Sequence, residues 1–251
     1  MTNIILSGCN GKMGQVIARL LESDEDARIV FGCDINTEMK NSFPVYSNIS
    51  EADVKGDVVI DFSHPSNFES LADYCRNTNT PLVMATTGLS AEQKEELALL
   101  SKETAVFFSA NMSLGVNMLV SLVKKAAAVL WDNFDIEIIE KHHNQKIDAP
   151  SGTALMIADE ISSVLDSNPE YIYDRHSVRK KRSKNEIGIH AVRGGTIVGE
   201  HDVIFAGNDE VIEIRHTAAS KEIFAVGSIK AAKFLKDKKP GMYDMNDIIL
   251  M

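Results

Sequence analysis

Residues 3 to 7, NIILS, are a short apolar run that breaks at Gly8-Cys9-Asn10-Gly11-Lys12-Met13-Gly14 and resumes at helical spacing as QVIARLLES. A strand, a glycine turn and a helix in immediate succession open a βαβ unit, which leaves few architectures for the rest of the chain. Small residues at such a turn let backbone N–H groups come close to a pyrophosphate, while the helix N-terminus supplies positive potential. The spacing departs from G-x-G-x-x-G, since Cys9-Asn10 separates the first two glycines. About 20 residues downstream, Asp34 ends the next strand candidate, ARIVFGCD, where a carboxylate reaches ribose hydroxyls. The turn and Asp34 together predict a dinucleotide site. The alternative is a plain tight turn followed by a strand-ending acid.

Beyond Asp34 the pattern continues as strands GDVVIDFSHP, PLVMATTG and TAVFFSAN alternating with helices SNFESLADYCRN and SAEQKEELALLSKE. Such alternation predicts a doubly wound parallel sheet. The loops Ala85-Thr86-Thr87-Gly88 and Ser109-Ala110-Asn111-Met112 fall at the carboxyl ends of strands, the edge where open α/β sheets bind ligands. Either loop alone is equally an ordinary β-to-α turn. After Asn111 the rhythm changes: a long helix, SLGVNMLVSLVKKAAAVL, leads to the alternating strand FDIEIIEKHH and then to a helix opening at Ser151-Gly152-Thr153. Three more strands, IGIHAVRGG, GEHDVIFAG and EVIEIRHTA, follow, the last two joined at Asn208-Asp209 as a hairpin. This half reads as an α+β domain on a mostly antiparallel open sheet. A final helix, SKEIFAVGSIKAAKFLKD, is free to pack back on the first domain.

Function classes are narrowed by charge. A net charge of −10 over 251 residues argues against a general nucleic-acid or membrane-surface binder, and the basic run RKKRSK reads as a solvated loop. Cys9, Cys33 and Cys75 form no CxxC pair, so no disulfide framework and no metal site is expected. Without a signal-peptide pattern or a 20-residue apolar run, the expected location is the cytoplasm.

The segment KHHNQKIDAPSGTALMIADEI, from Lys141, carries the densest chemistry. While the strand lasts, His142 and His143 point to opposite faces, which disfavours a two-histidine metal site. Ser151 is a plausible N-cap, and the unpaired N–H groups of Gly152 and Thr153 behind it form a carboxylate receptor beside His143 and Lys146. Histidine and lysine also move protons near neutral pH, so one of them is expected to protonate the atom left electron-rich by hydride addition.

These residues bear a resemblance. The run from Glu140 to Ala154, E-K-H-H-x-x-K-x-D-A-P-S-G-T-A, closely resembles the signature of the 4-hydroxy-tetrahydrodipicolinate reductases, also called dihydrodipicolinate reductases, of bacterial lysine and diaminopimelate synthesis. The likeness extends over GCNGKMG at 8 to 14, IDFSHP at 60 to 65, ATTG at 85 to 88, ANMSLGVN at 110 to 117, VRGGTIVGEH at 192 to 201 and GMYDMNDIIL from 241. It implies hydride delivery from NADH or NADPH to C4 of the unsaturated heterocycle that forms when 4-hydroxy-tetrahydrodipicolinate loses water. His142 matches the family's proton donor or acceptor and Lys146 its proton donor, while His143, Gly152 and Thr153 match holders of the substrate's carboxylates. Gly8, Cys9, Asn10, Gly11, Lys12, Met13, Asp34, Ala85, Thr86, Thr87, Ser109, Ala110, Asn111 and Met112 match the cofactor site.

The resemblance further implies a Rossmann-type domain of residues 1–112 and 222–251, a substrate-binding and oligomerisation domain of residues 113–221, a hinge between them and a homotetramer. The substrate would be a small dicarboxylate heterocycle, with no nucleic acid or membrane as partner. Asp34 lacks the arginine that follows the acid in some members, Lys12 stands where arginine is frequent, and Met112 replaces an aromatic residue. Both cofactors therefore stay open. The competing readings are a Rossmann dehydrogenase of another small carboxylate and a nucleotide sensor without chemistry.

Overall fold

A computed structural model describes residues 1–249 of the chain. The chain divides into two compact units, one of residues 1–114 together with the segment from Glu222 onward, the other of Gly115–Lys221.

The first unit is built on β1 (Thr2–Ser7), α1 (Lys12–Leu21), β2 (Ala27–Cys33), β3 (Val45–Tyr46), β4 (Val58–Asp61), α2 (Phe68–Thr78), β5 (Leu82–Met84), α3 (Ala91–Leu100) and β6 (Ala105–Phe108). After the elements of the second unit, the chain returns to supply α6 (Glu222–Leu235), β12 (Gly241–Tyr243) and α7 (Met245–Ile249). All pairings are parallel, in the order β12-β6-β5-β4-β1-β2-β3. Helices cover both faces, so its strands read as unbroken apolar runs rather than alternating ones. Ile4, Leu6, Val58, Ile60, Val83 and Phe107 point to the core under α1 and α6, whereas Ile5, Val59, Leu82, Met84 and Val106 point to the core under α2 and α3. The order reverses direction at β1 and β4, where such sheets open a crevice for ligands.

The second unit holds α4 (Leu114–Leu130, beginning at the boundary), β7 (Asp135–His142), α5 (Gly152–Ser162), β8 (Glu170–Ile172), β9 (Glu186–Arg193), β10 (Gly199–Ala206) and β11 (Val211–Ala218). The sheet order is β11-β10-β7-β9-β8. The long β10–β11 and β10–β7 ladders are antiparallel, and β9 with the short β8 is added in parallel. The expected hairpin turns at Gly207–Glu210, where the Gly207 N–H donates to the Glu210 carbonyl at 2.8 Å. One face of the sheet is dry: Ile136 and Ile138 on β7, Ile187 and Ile189 on β9, and Val203 and Phe205 on β10 pack against α4 and α5. The other face is open and polar, with Lys141 bonded to Glu200 at 3.1 Å and to Asp202 at 3.2 Å.

The basic stretch before β9 is more tied down than a solvated loop. Arg175 pairs with Glu137 and Glu186, Lys180 with Glu186, and Arg182 with Asp135 and Glu137. Glu186 is fully buried, and its carboxyl is held down to about 2, chiefly by Arg175. Acids on the neighbouring strands thus convert a charge run into an ionic seam.

Candidate functional site

In the first unit the glycine turn has the shape an anion cradle needs. Gly8 has φ +76°, and a Cβ on it would meet the Phe62 carbonyl oxygen at 2.5 Å; a Cβ on Gly14 would meet the Gly8 oxygen at 2.2 Å. Only glycine fits either place. Helix α1 begins at Lys12 behind Gly11, with no side chain capping it and no acid in its first turn, so its leading N–H groups keep their positive potential. These features fit a dinucleotide phosphate, with Lys12 exposed at the same helix start. Asp34 sits at the end of β2 and accepts from the Asn10 N–H at 3.0 Å and the Asn36 N–H at 2.9 Å. It therefore fixes the glycine turn, and an ionised carboxylate still has lone pairs left for a ribose.

Cys9 can serve such a site only through its backbone, because its side chain is fully buried; burial first, and then Asp34, push the thiol up to about 12. Met13 packs against the core, and Met112 is buried. The Thr86 hydroxyl is engaged inside the protein, donating to the buried Asp61 at 2.6 Å, while Ala85 N–H donates to the Asp61 carbonyl at 3.0 Å. Thr87 and Ala110 are exposed. The loop from Ser109 is pinned from within, since the Ser109 hydroxyl donates to the Asn111 carbonyl at 2.9 Å and the Asn111 side chain accepts from the Ser113 N–H at 2.8 Å.

In the second unit, β7 alternates strictly between the dry and the polar face, which puts Glu140 and His142 side by side on the dry one. The strand ends at His142, so His143 opens the turn; its carbonyl accepts from the Lys146 N–H at 3.1 Å. His142 Nδ1 lies 2.7 Å from Glu140 Oε2. The fully buried Glu140 also takes a two-pronged bond from Arg193 on β9, both contacts at 2.7 Å, and the Ser151 N–H at 2.9 Å. Burial pushes this carboxyl up, but Arg193, then His142 and the Ser151 N–H outweigh it and hold it below the usual range.

Ser151 caps α5 as expected, its Oγ accepting from the Ala154 N–H at 3.1 Å and lying 3.2 Å from His201 Nε2. Gly152 is exposed and Thr153 half-buried at the head of that helix. The His201 ring stands edge-on to His142, with centroids 5.3 Å apart. Lys146 Nζ is 2.9 Å from Asp148 Oδ1, and the Asp148 carboxyl is lowered chiefly by Lys146, with the Gly152 N–H adding to it. One corner of this unit thus joins His142, His143, Lys146 and the start of α5. Among the described residues no cluster of histidine, cysteine and acids suits a metal ion.

Three residues of this corner escaped the sequence-based site. Glu140 was within reach, because period two on a strand places it beside His142. Arg193 and His201 arrive from strands 50 or more residues away; both stand in the stretch VRGGTIVGEH that carries the resemblance, but nothing local to that stretch pairs them with Glu140 or Ser151.

Comparison with known proteins bears on the family and the fold. Residues 2–112 match the family model described as "Dihydrodipicolinate reductase, N-terminus", and residues 115–249 match "Dihydrodipicolinate reductase, C-terminus". The chain is 55% identical over 249 residues to a 4-hydroxy-tetrahydrodipicolinate reductase of Caldanaerobacter subterraneus subsp. tengcongensis, covering 99% of this chain and 98% of the relative. It is 49% identical to that of Clostridium novyi, with the same coverage. A solved dipicolinate-bound dihydrodipicolinate reductase from Paenisporosarcina sp. TG-14 superimposes with a TM-score of 0.84 at 25% identity over 99% of each chain. A probable dehydrogenase from Thermotoga maritima shares the fold alone, at 12% identity and a TM-score of 0.61, over 98% of this chain and 92% of its own.

Proposed function

Because the chain belongs to the dihydrodipicolinate reductase family, we propose that His142 and Lys146 carry the proton chemistry of its reaction while His143, Gly152 and Thr153 hold the substrate's carboxylates. The chain is an NAD(P)H-dependent oxidoreductase, and its activity is reduction of the dehydrated 4-hydroxy-tetrahydrodipicolinate ring to tetrahydrodipicolinate in lysine and diaminopimelate synthesis. Bound NADH or NADPH supplies the hydride. The glycine turn at Gly8, Cys9, Asn10, Gly11, Lys12 and Met13, with Asp34, would hold its phosphates and ribose; the loops Ala85-Thr86-Thr87 and Ser109-Ala110-Asn111-Met112 would border its nicotinamide end.

The observation that carries this reading is the convergence of a histidine fixed by Glu140, a lysine and a helix start that offers N–H groups to a carboxylate. A planar dicarboxylate laid across them meets donors for its carboxylates and an acid for the ring atom that gains electrons. Hydride addition calls for one proton, which Lys146 supplies to that atom, and His142 acts as the proton donor or acceptor that restores it.

The test is NADH and NADPH oxidation with the freshly made aldol product of pyruvate and aspartate semialdehyde. Rapid oxidation by the parent, lost by about 10²- to 10⁴-fold in Lys146→Ala, is the expected result. Oxidation that survives the substitution removes lysine from the role.

On the open face of the second sheet, Val192 and Val211 are exposed, which supports assembly into a homotetramer through that face, checked by light scattering. No helix among the described residues is long and apolar enough to cross a membrane, in keeping with a cytoplasmic enzyme.

A further inference from the structure

The geometry points to Glu140 as the positioning residue of the reaction: one buried carboxylate sets which nitrogen of His142 carries the proton and, by its second oxygen, locks the carboxylate-holding start of α5 to that ring. This inference rests on the role proposed above for His142.

An ionised carboxylate only accepts hydrogen bonds. With Glu140 Oε2 at 2.7 Å, His142 Nδ1 must therefore be the N–H, and the other nitrogen, Nε2, is left to exchange protons with a ligand. Nε2 has no hydrogen-bond partner among the described residues and is not one of the fully buried unpartnered atoms, so it keeps solvent access. Nothing at position 199 obstructs it, because a Cβ on Gly199 would stand only 3.1 Å from it.

Glu140 is in turn held rigidly. Oε2 receives His142 and one arm of Arg193, and Oε1 receives the other arm of Arg193 and the Ser151 N–H. Four donors on two oxygens leave the carboxylate no freedom to rotate. The same group thereby fixes the distance between the proton-handling ring and the helix start at Gly152 and Thr153.

Among the described residues, the charged and titratable groups around His142 include Glu140 on its own strand, Arg193 on β9, His201 on β10 with His216 paired opposite it on β11, and His143, Lys146 and Asp148 in the following turn; the N-cap of α5 is the neutral Ser151. Among the described residues, Glu140 is the one anion bonded directly to the ring. Its loss destabilises the imidazolium.

Glu140→Gln keeps the shape but turns one oxygen into a donor facing donors. The test measures kcat and KM for both substrates across pH in the parent and in this variant, with NADH affinity and circular dichroism as checks of the fold. A parent that oxidises neither cofactor would remove the functional reading itself. With an active parent, the expected result is a kcat lowered about 10²-fold, unchanged NADH affinity, and a shift to lower pH of the profile limb that reports the ring. Parental kcat overturns the inference, and so does a loss of rate with the limb unmoved, since that is structural damage alone. Should the variant fail to fold, nitrogen-15 spectra of the parent's histidines, assigned by comparison with His142→Gln, decide the matter. Protonation at Nδ1 in the neutral ring sustains the inference, and protonation at Nε2 ends it.

Discussion

His201 is an example of a single residue that ties the site to the stability of its unit. The residue is 4% exposed, and burial first, then the neighbouring His142, push it down to about 4, against the opposing pull of Glu140. An unfolded histidine takes up its proton near ~6.5. Between those two values the unfolded chain binds more protons than the native one, so stability falls as pH drops from about 6.5 toward about 4, by up to about 3 kcal/mol. Urea unfolding of His201→Gln compared with the parent at several pH values in that window should show a flatter pH slope; parallel slopes would count against burial as the cause. At this scale the legible part was the cluster of His142, His143, Lys146 and the Ser151 cap, which sit within a dozen residues and declare their chemistry by type and spacing. The carboxylate that orients the ring was half-legible from strand period, and its arginine was not, because pairing across a sheet is set by register that no single strand encodes.

Among the elements, α6 bears on the loop proposed to border the nicotinamide. It packs on α1, β4 and β5, with Arg19 paired to Glu222 and Lys233 bonded to both oxygens of Asp24 at 2.7 Å. Gly227 on this helix comes so near the loop from Ser109 that a Cβ would stand 1.6 Å from the Met112 carbonyl oxygen. Gly227→Ala must then push helix and loop apart. The expected cost is about 3 kcal/mol of stability, with weaker NADH binding and little effect on a substrate-side ligand such as dipicolinate; thermal melts and fluorescence titration check it. The long elements of both units follow from apolar periodicity and glycine punctuation. The strands β3, β8 and β12 do not, since two or three residues carry no period and become strands only because a neighbour offers an edge.

For the whole molecule, with its net charge of −10, the cations at the corner of His142 and α5 come paired with acids. Arg193 is matched by Glu140 and Lys146 by Asp148. The lysine's partner has a consequence for how a ligand arrives. Asp148 is a carboxylate resting on the same ammonium, and beside the same Gly152 N–H, that a substrate carboxylate would use. Binding is then an exchange of one carboxylate for another rather than the meeting of opposite charges, with the loop's own acid competing for the place. Before any ligand binds, Asp148 already balances the lysine's charge, so long-range attraction contributes little, and kcat/KM should vary only weakly with added salt. Asp148→Asn uncovers a cation, and its kcat/KM should fall more steeply with salt than the parent's.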